Sequence, residues 1–273
     1  MRADLLINPR HRRPLATVVV FLAVLALVVA VGVSRQRSRP TFSFVDQARP
    51  GPVLLVPGYG GSTASLEGLA ATLRSRGHSA AVLTLAGDGT GDLRVQAQRL
   101  AAAATAAIAA GAPSVDVVGY SAGGVVARIW AADFGGARQA RRIVTLGSPH
   151  HGTRVAELGA TLAASACPVA CQQLVPGSAL LDALDESANG PVWTSLWTAQ
   201  DEVVTPPDSA RLDGALSIEV QSVCSDARVP HGQLPRDPLV VGLLERALAV
   251  VPLTAAPASD QCAAVRAEGA VVR

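Results

Sequence analysis

Between residues 50 and 251, short Val/Leu/Ile-rich runs alternate with longer Ala- and Leu-rich stretches, and few architectures accommodate that order. The runs at 52–56, 80–85, 115–118, 142–146, 192–198 and 216–220 predict strands, and 63–76, 92–110, 122–134 and 238–250 predict helices. Asp92 stands at the start of the second helix and Gly111 just past its end, as capping requires. Strands that alternate with helices imply parallel βαβ units with right-handed crossovers. The strands are continuously apolar, which fits a sheet covered by helices on both faces. The expected fold is therefore α/β, with a mainly parallel central sheet of about six strands, in one domain over 50–251. Aromatic residues make up only 3%, so the core must be built from Ala, Val and Leu.

With 49% hydrophobic and 16% charged residues, the chain is too apolar to be disordered, and it carries no repeat. The net charge of +2 conceals an asymmetry. Residues 1–49 hold eight Arg against Asp4 and Asp46, whereas the rest is mildly acidic. No basic stripe exists there, so no nucleic-acid partner is expected. All 23 basic residues are Arg, which excludes Schiff-base and Ser–Lys chemistry.

Leu15 to Val33 are 19 consecutive uncharged residues between two Arg clusters. A helix of ~20 apolar residues spans a hydrocarbon core, whereas the apolar part of a secretory signal has ~7–15. The length favours an N-terminal apolar helix retained in the membrane through residues 15–33. Small residues at Ala30 and Gly32 keep a cleaved signal as the alternative. Residues 1–49 thus read as signal-anchor or signal peptide plus linker. They place the chain at a membrane facing outside the cytoplasm, or secreted, and 252–273 read as a C-terminal tail. The four cysteines, Cys167, Cys171, Cys224 and Cys262, allow three pairings that sequence does not decide. Pairing 167–171 and 224–262 is expected, since the second bond would staple the tail to the domain at a gain of about 3–4 kcal/mol.

Val115-Asp-Val-Val-Gly119-Tyr120-Ser121-Ala122-Gly123-Gly124 sets G-x-S-x-G between a predicted strand and a predicted helix. That context gives the pattern its meaning. A sharp strand-to-helix turn forces Ser121 into a strained conformation and projects its hydroxyl, and only small residues at Gly119 and Gly123 let the flanking chain approach. An alkoxide attacking a carbonyl creates an oxyanion that needs two N–H donors. Ala122, after the nucleophile, is one candidate. Tyr59, in the glycine-flanked loop Val56-Pro-Gly-Tyr-Gly-Gly61 after the first strand, is the other.

A serine hydroxyl also needs a base, for which imidazole suits neutral pH. Of five histidines, His11 and His78 read as surface residues. His150 and His151 follow a strand, but the one carboxylate between Ser121 and them is Asp133, on a helix. The order nucleophile, acid, histidine selects His231, in the loop Val229-Pro-His-Gly-Gln-Leu-Pro235. The acid expected to orient it is Asp201, in a turn after the strand 192–198. The adjacent Glu202 is the alternative, and Asp208 and Asp226 are weaker ones. The stretch 167–184 reads equally as a wall over a substrate pocket or as core, and Trp193 and Trp197 share a strand face that reads as core.

In the segments V-P-G-Y-G-G, V-G-Y-S-A-G-G, T-L-G-S-P-H-H-G-T, W-T-A-Q-D-E-V-V and H-G-Q-L, the chain resembles the small secreted bacterial lipases and esterases of the α/β-hydrolase superfamily. The resemblance covers about 53–235. It implies Ser121, Asp201 and His231 as a catalytic triad, with Tyr59 and Ala122 as oxyanion donors. It also implies cleavage of carboxylic esters, often acylglycerols, with no cofactor and no metal; no protein partner is indicated. Two departures stand out. Many relatives have His-Gly where this chain has Pro57-Gly58, and an anchor-like head is unusual among freely secreted members. An acyltransferase or thioesterase using the same triad, or a non-catalytic anchored protein of this fold, are the alternative readings.

Overall fold

Six strands form in the computed structural model, which describes residues 45–162, 167–185 and 190–270. They are β1 (Val53–Val56), β2 (Ala80–Val82), β3 (Val115–Tyr120), β4 (Ala140–Leu146), β5 (Val192–Trp197) and β6 (Leu216–Glu219). One sheet joins them in the order β2-β1-β3-β4-β5-β6, and every neighbouring pair is parallel. Parallel neighbours need long crossovers. Helices α1 (Ala64–Ser75), α2 (Leu93–Ala109) and α3 (Ala122–Asp133) supply the first three. Three shorter helices, α4 (Arg154–Leu162), α5 (Val169–Gln173) and α6 (Ala179–Asp182), lie between β4 and β5. After β6 come α7 (Val220–Val223), α8 (Pro238–Leu248) and α9 (Cys262–Gly269).

The two-residue period of the strands builds two cores. Val53 and Leu55 pack with Leu66 and Leu73 of α1 and with Leu239 and Leu243 of α8. Leu54 and Val56 point the other way, toward Leu93 and Leu100 of α2 and Val125 and Ile129 of α3. Asp92 caps α2 by accepting the Arg94 N–H at 2.9 Å.

Some boundaries differ from expectation, each for a tertiary reason. Strand β2 ends at Val82 rather than 85, because it is an edge strand with β1 as its partner. Strand β4 begins at Ala140 rather than 142, through two arginines that locally read as a polar border. Arg141 is buried there because Asp116 of β3 accepts from its Nε at 3.0 Å and its Nη2 at 2.5 Å, while the Leu248 carbonyl accepts from Nη2 at 2.6 Å. Helices α4, α5, α6, α7 and α9 are too short or too weakly patterned to be predicted. Within 167–184, Leu174, Leu180, Leu181 and Leu184 are core, and Leu174 also lines a cleft with Cys171. Trp193 and Trp197 are both buried.

Two disulfides join Cys167 to Cys171 and Cys224 to Cys262. The second ties α9 to the segment after α7. Bonds of this kind persist in oxidising surroundings, which agrees with an extracellular or secreted protein. The apolar run 15–33, and with it the anchor or signal reading, lies outside the described residues. No helix among those described is long and apolar enough to cross a membrane.

Candidate active site

The chain passes directly from β3 into α3 at Ser121. Ser121 has φ 52° and ψ −127°, and it is the one non-glycine residue with positive φ among those described. Such a conformation costs about 1–3 kcal/mol and persists only where its surroundings enforce it. Here the Ser121 N–H donates to the Leu146 carbonyl at 2.9 Å, and the Ser121 carbonyl accepts the Gly124 N–H at 3.0 Å. Both predicted glycines are sterically required. A Cβ on Gly119 would lie 2.5 Å from Gly124 Cα, and one on Gly123 would lie 2.2 Å from the Val56 carbonyl oxygen. The second contact brings the 56–61 loop against the turn.

That loop carries Tyr59. The Gly61 N–H closes it onto the Gly58 carbonyl at 3.1 Å, and Tyr59 shares a cleft with Ser121. Ala122 is buried and opens α3, so its N–H belongs to the first turn, which a helix leaves without internal acceptors. The helix dipole adds positive potential at the same point.

His231 and Asp201 meet although 30 residues separate them. The imidazole Nδ1–H donates to Asp201 Oδ2 at 2.7 Å, with both side chains buried. The other carboxylate oxygen of Asp201 accepts the N–H groups of Val203 at 2.9 Å and Val204 at 2.7 Å, which locks its rotamer. Tyr120, next to Ser121 in the chain, also contacts His231. Its ring lies 5.2 Å from the His231 ring, and its hydroxyl donates to the His231 carbonyl at 3.3 Å. Glu202 contacts the His231 backbone, accepting its N–H at 3.1 Å. Asp226 pairs instead with Arg266 at 3.0 Å, and Asp208 is exposed in a short turn.

The other histidines have different partners. His78 pairs with Glu245 at 2.9 Å, and His151 Nδ1–H donates to the Ser209 carbonyl at 3.1 Å. His150 belongs to a separate buried chain. Ser195 donates to the Ala210 carbonyl at 2.6 Å and Thr145 donates to Ser195 at 3.1 Å, so His150 Nε2–H must donate to Thr145 at 3.1 Å. Its Nδ1 is buried without a partner among the described residues. Burial, with Arg128 and His151 nearby, holds this imidazole well below its ordinary pKa, and therefore neutral.

Ser121 opens into a cleft of about 560 Å³, counting its mouth. Pro149, Val155, Ala156, Leu174, Val203 and Val204 give it a predominantly apolar lining. Gly147 is a site neighbour that the sequence did not single out, and Glu202, the alternative acid, meets the His231 main chain rather than the ring. Tyr120 was legible only as part of the motif, and Gly147 and Glu202 meet His231 only through space.

A parallel sheet with a strained serine between strand and helix, and a buried His–Asp pair beyond later strands, defines the α/β-hydrolase fold. Solved structures share it. The chain aligns with the mature form of the Bacillus licheniformis lipase BlEst2 at a TM-score of 0.62 and 19% identity, over 77% of this chain and 96% of that one. The propeptide form of the same lipase gives 0.64 and 21%, over 78% of this chain and 53% of that one. Aspergillus fumigatus lipase B gives 0.60 and 18%, over 84% of this chain and 63% of that one. The chain therefore spans less than two thirds of the latter two. It matches no protein-family model and no curated protein sequence.

Proposed function

We propose that this chain is a serine hydrolase that cleaves carboxylic esters of the lipid or acylglycerol class through an acyl-Ser121 intermediate. The observation that carries this reading is the contact of Tyr120 with His231. It links the imidazole held by Asp201 to the residue that precedes the strained Ser121. The apolar cleft at Ser121 suits a hydrocarbon acyl chain. The solved lipases of the same fold point to the same chemistry.

In the reaction proposed, Ser121 Oγ attacks the ester carbonyl while His231 Nε2 takes the hydroxyl proton. The Asp201 carboxylate accepts the Nδ1–H, fixing the tautomer and stabilising the imidazolium. The N–H groups of Tyr59 and Ala122 receive the oxyanion. His231 then protonates the departing alcohol, and water, deprotonated by the same imidazole, releases the acid and restores Ser121. The steps draw on these side chains, the two main-chain N–H groups and water.

The apolar run 15–33 would hold residues 50–251 at a membrane, or direct their export if cleaved, and the two disulfides agree with an oxidising destination. Labelling with a fluorophosphonate probe tests the nucleophile. The expected result is one adduct on Ser121 and none on Ser121→Ala, which should also lose several orders of magnitude in ester turnover. Full activity in Ser121→Ala would falsify the assignment. A panel of nitrophenyl esters from short to long acyl chains, repeated with a competing alcohol, identifies the preferred substrate and separates hydrolysis from acyl transfer.

A further inference from the structure

The segment bearing His231 is a short loop anchored in the core by its neighbours Val229 and Leu234. Pro230 precedes it, and one 3₁₀ turn (His231–Gln233) follows. Three consecutive residues beyond β5 hold it. Gln200 accepts the Val229 N–H at 3.0 Å and donates to the Ala227 carbonyl at 3.1 Å. Asp201 takes the imidazole, and Glu202 takes the His231 N–H. From the opposite side, Tyr120 donates to the His231 carbonyl and lays its ring against the imidazole at an interplanar angle of 31°.

We infer that Glu202 and Tyr120 are positioning residues for His231: they grip its backbone N–H and carbonyl and so set where the imidazole stands relative to Ser121. The inference rests on the serine-hydrolase reading above. The physical need is clear. Asp201 fixes only one end of the ring, and a ring held at Nδ1 alone still pivots with its backbone. A base misplaced by about 1 Å loses about two orders of magnitude in rate. The neighbouring carboxylates thus divide the work, one on the ring and one on the main chain. Tyr120 suits its part. Burial, and the charges of Asp201 and Glu202, push its phenol up to about 12, so it remains a donor at neutral pH.

The test measures kcat and KM of the full chain on a soluble nitrophenyl ester for Glu202→Ala, Glu202→Gln, Tyr120→Phe and Tyr120→Ala, with Ser121→Ala alongside. Glu202→Ala and Tyr120→Ala should each lower kcat about tenfold with KM within about twofold, as expected of a displaced base. Glu202→Gln, whose amide oxygen still accepts, should recover to within about threefold of the parent, and Tyr120→Phe should fall between parent and Tyr120→Ala. Parental kcat in Glu202→Ala and Tyr120→Ala, beside an inactive Ser121→Ala, overturns this inference alone. So does Glu202→Gln as impaired as Glu202→Ala, because charge rather than the hydrogen bond would then be at work. An active Ser121→Ala overturns the reading beneath it, and this inference with it. Should Tyr120→Ala fail to fold, Tyr120→Phe and the Glu202 pair decide.

Discussion

Gly147 lies directly against His231: a Cβ at position 147 would come 3.2 Å from the imidazole Nδ1, and 3.1 Å from Asp201 Oδ2. The Leu234 methyl Cδ1 would stand at 2.4 Å, and the residue has φ 54°. A methyl group there must push the Leu234 side chain aside and crowd the Asp201–His231 pair. Gly147→Ala should lower kcat about tenfold or more and cost about 1–3 kcal/mol of stability, read from ester turnover and denaturant melts. A variant with parental kcat would show that the pair does not need its present seat.

Ser121 stores strain that glycine would release. Replacing it with Gly should abolish ester turnover yet raise stability by up to about 1 kcal/mol, since the positive φ is then free of Cβ strain although the unfolded chain gains entropy. A calorimetric melt of Ser121→Gly against Ser121→Ala checks this. A lower Tm for the glycine variant would contradict the strain.

The disulfides should differ in kind. Cys224 and Cys262 are 38 apart in sequence, so replacing both with Ser should cost about 4 kcal/mol in the loop-entropy model and free α9. Cys167 and Cys171 are separated by 4, which makes their bond worth only about 2 kcal/mol. Because Cys171 lines the cleft, losing that bond should instead shift preference among acyl chain lengths. Equal stability losses from the two double variants would refute the distinction.

His78 and Glu245 give stability a pH dependence. The hydrogen bond that His78 donates to the Glu245 carboxylate raises its pKa above the ordinary 6.5, outweighing burial. A raised folded-state pKa stabilises fully below the unfolded value, and the contribution disappears as pH rises through the folded one. The cost of His78→Gln should therefore be greatest below pH 6.5, at about 0.5–1 kcal/mol, and should shrink as pH rises above it. Denaturant melts of both proteins across that range measure it. A cost that grows with pH would reverse the sign argued here.

Much of this protein was settled locally. The alternation of apolar runs and helical stretches dictates a parallel sheet covered on both faces, because period-2 strands without a polar side cannot face water. The glycines around Ser121 dictate its turn, because backbone crowding tolerates nothing larger. Other features depended on groups brought together from distant positions. Asp201 and Glu202 are adjacent carboxylates in one turn, and no local pattern distinguishes the one that meets the imidazole from the one that meets the main chain. His150 follows the end of β4 more closely than His231 follows the end of β6, yet burial beside Arg128 holds it neutral and hydrogen-bonded to Thr145. Arg141 reads as a strand border until Asp116, 25 positions earlier, makes it core. Propensity and crowding act over a few residues and are written in the chain, whereas hydrogen bonding and desolvation act through space and needed the folded structure.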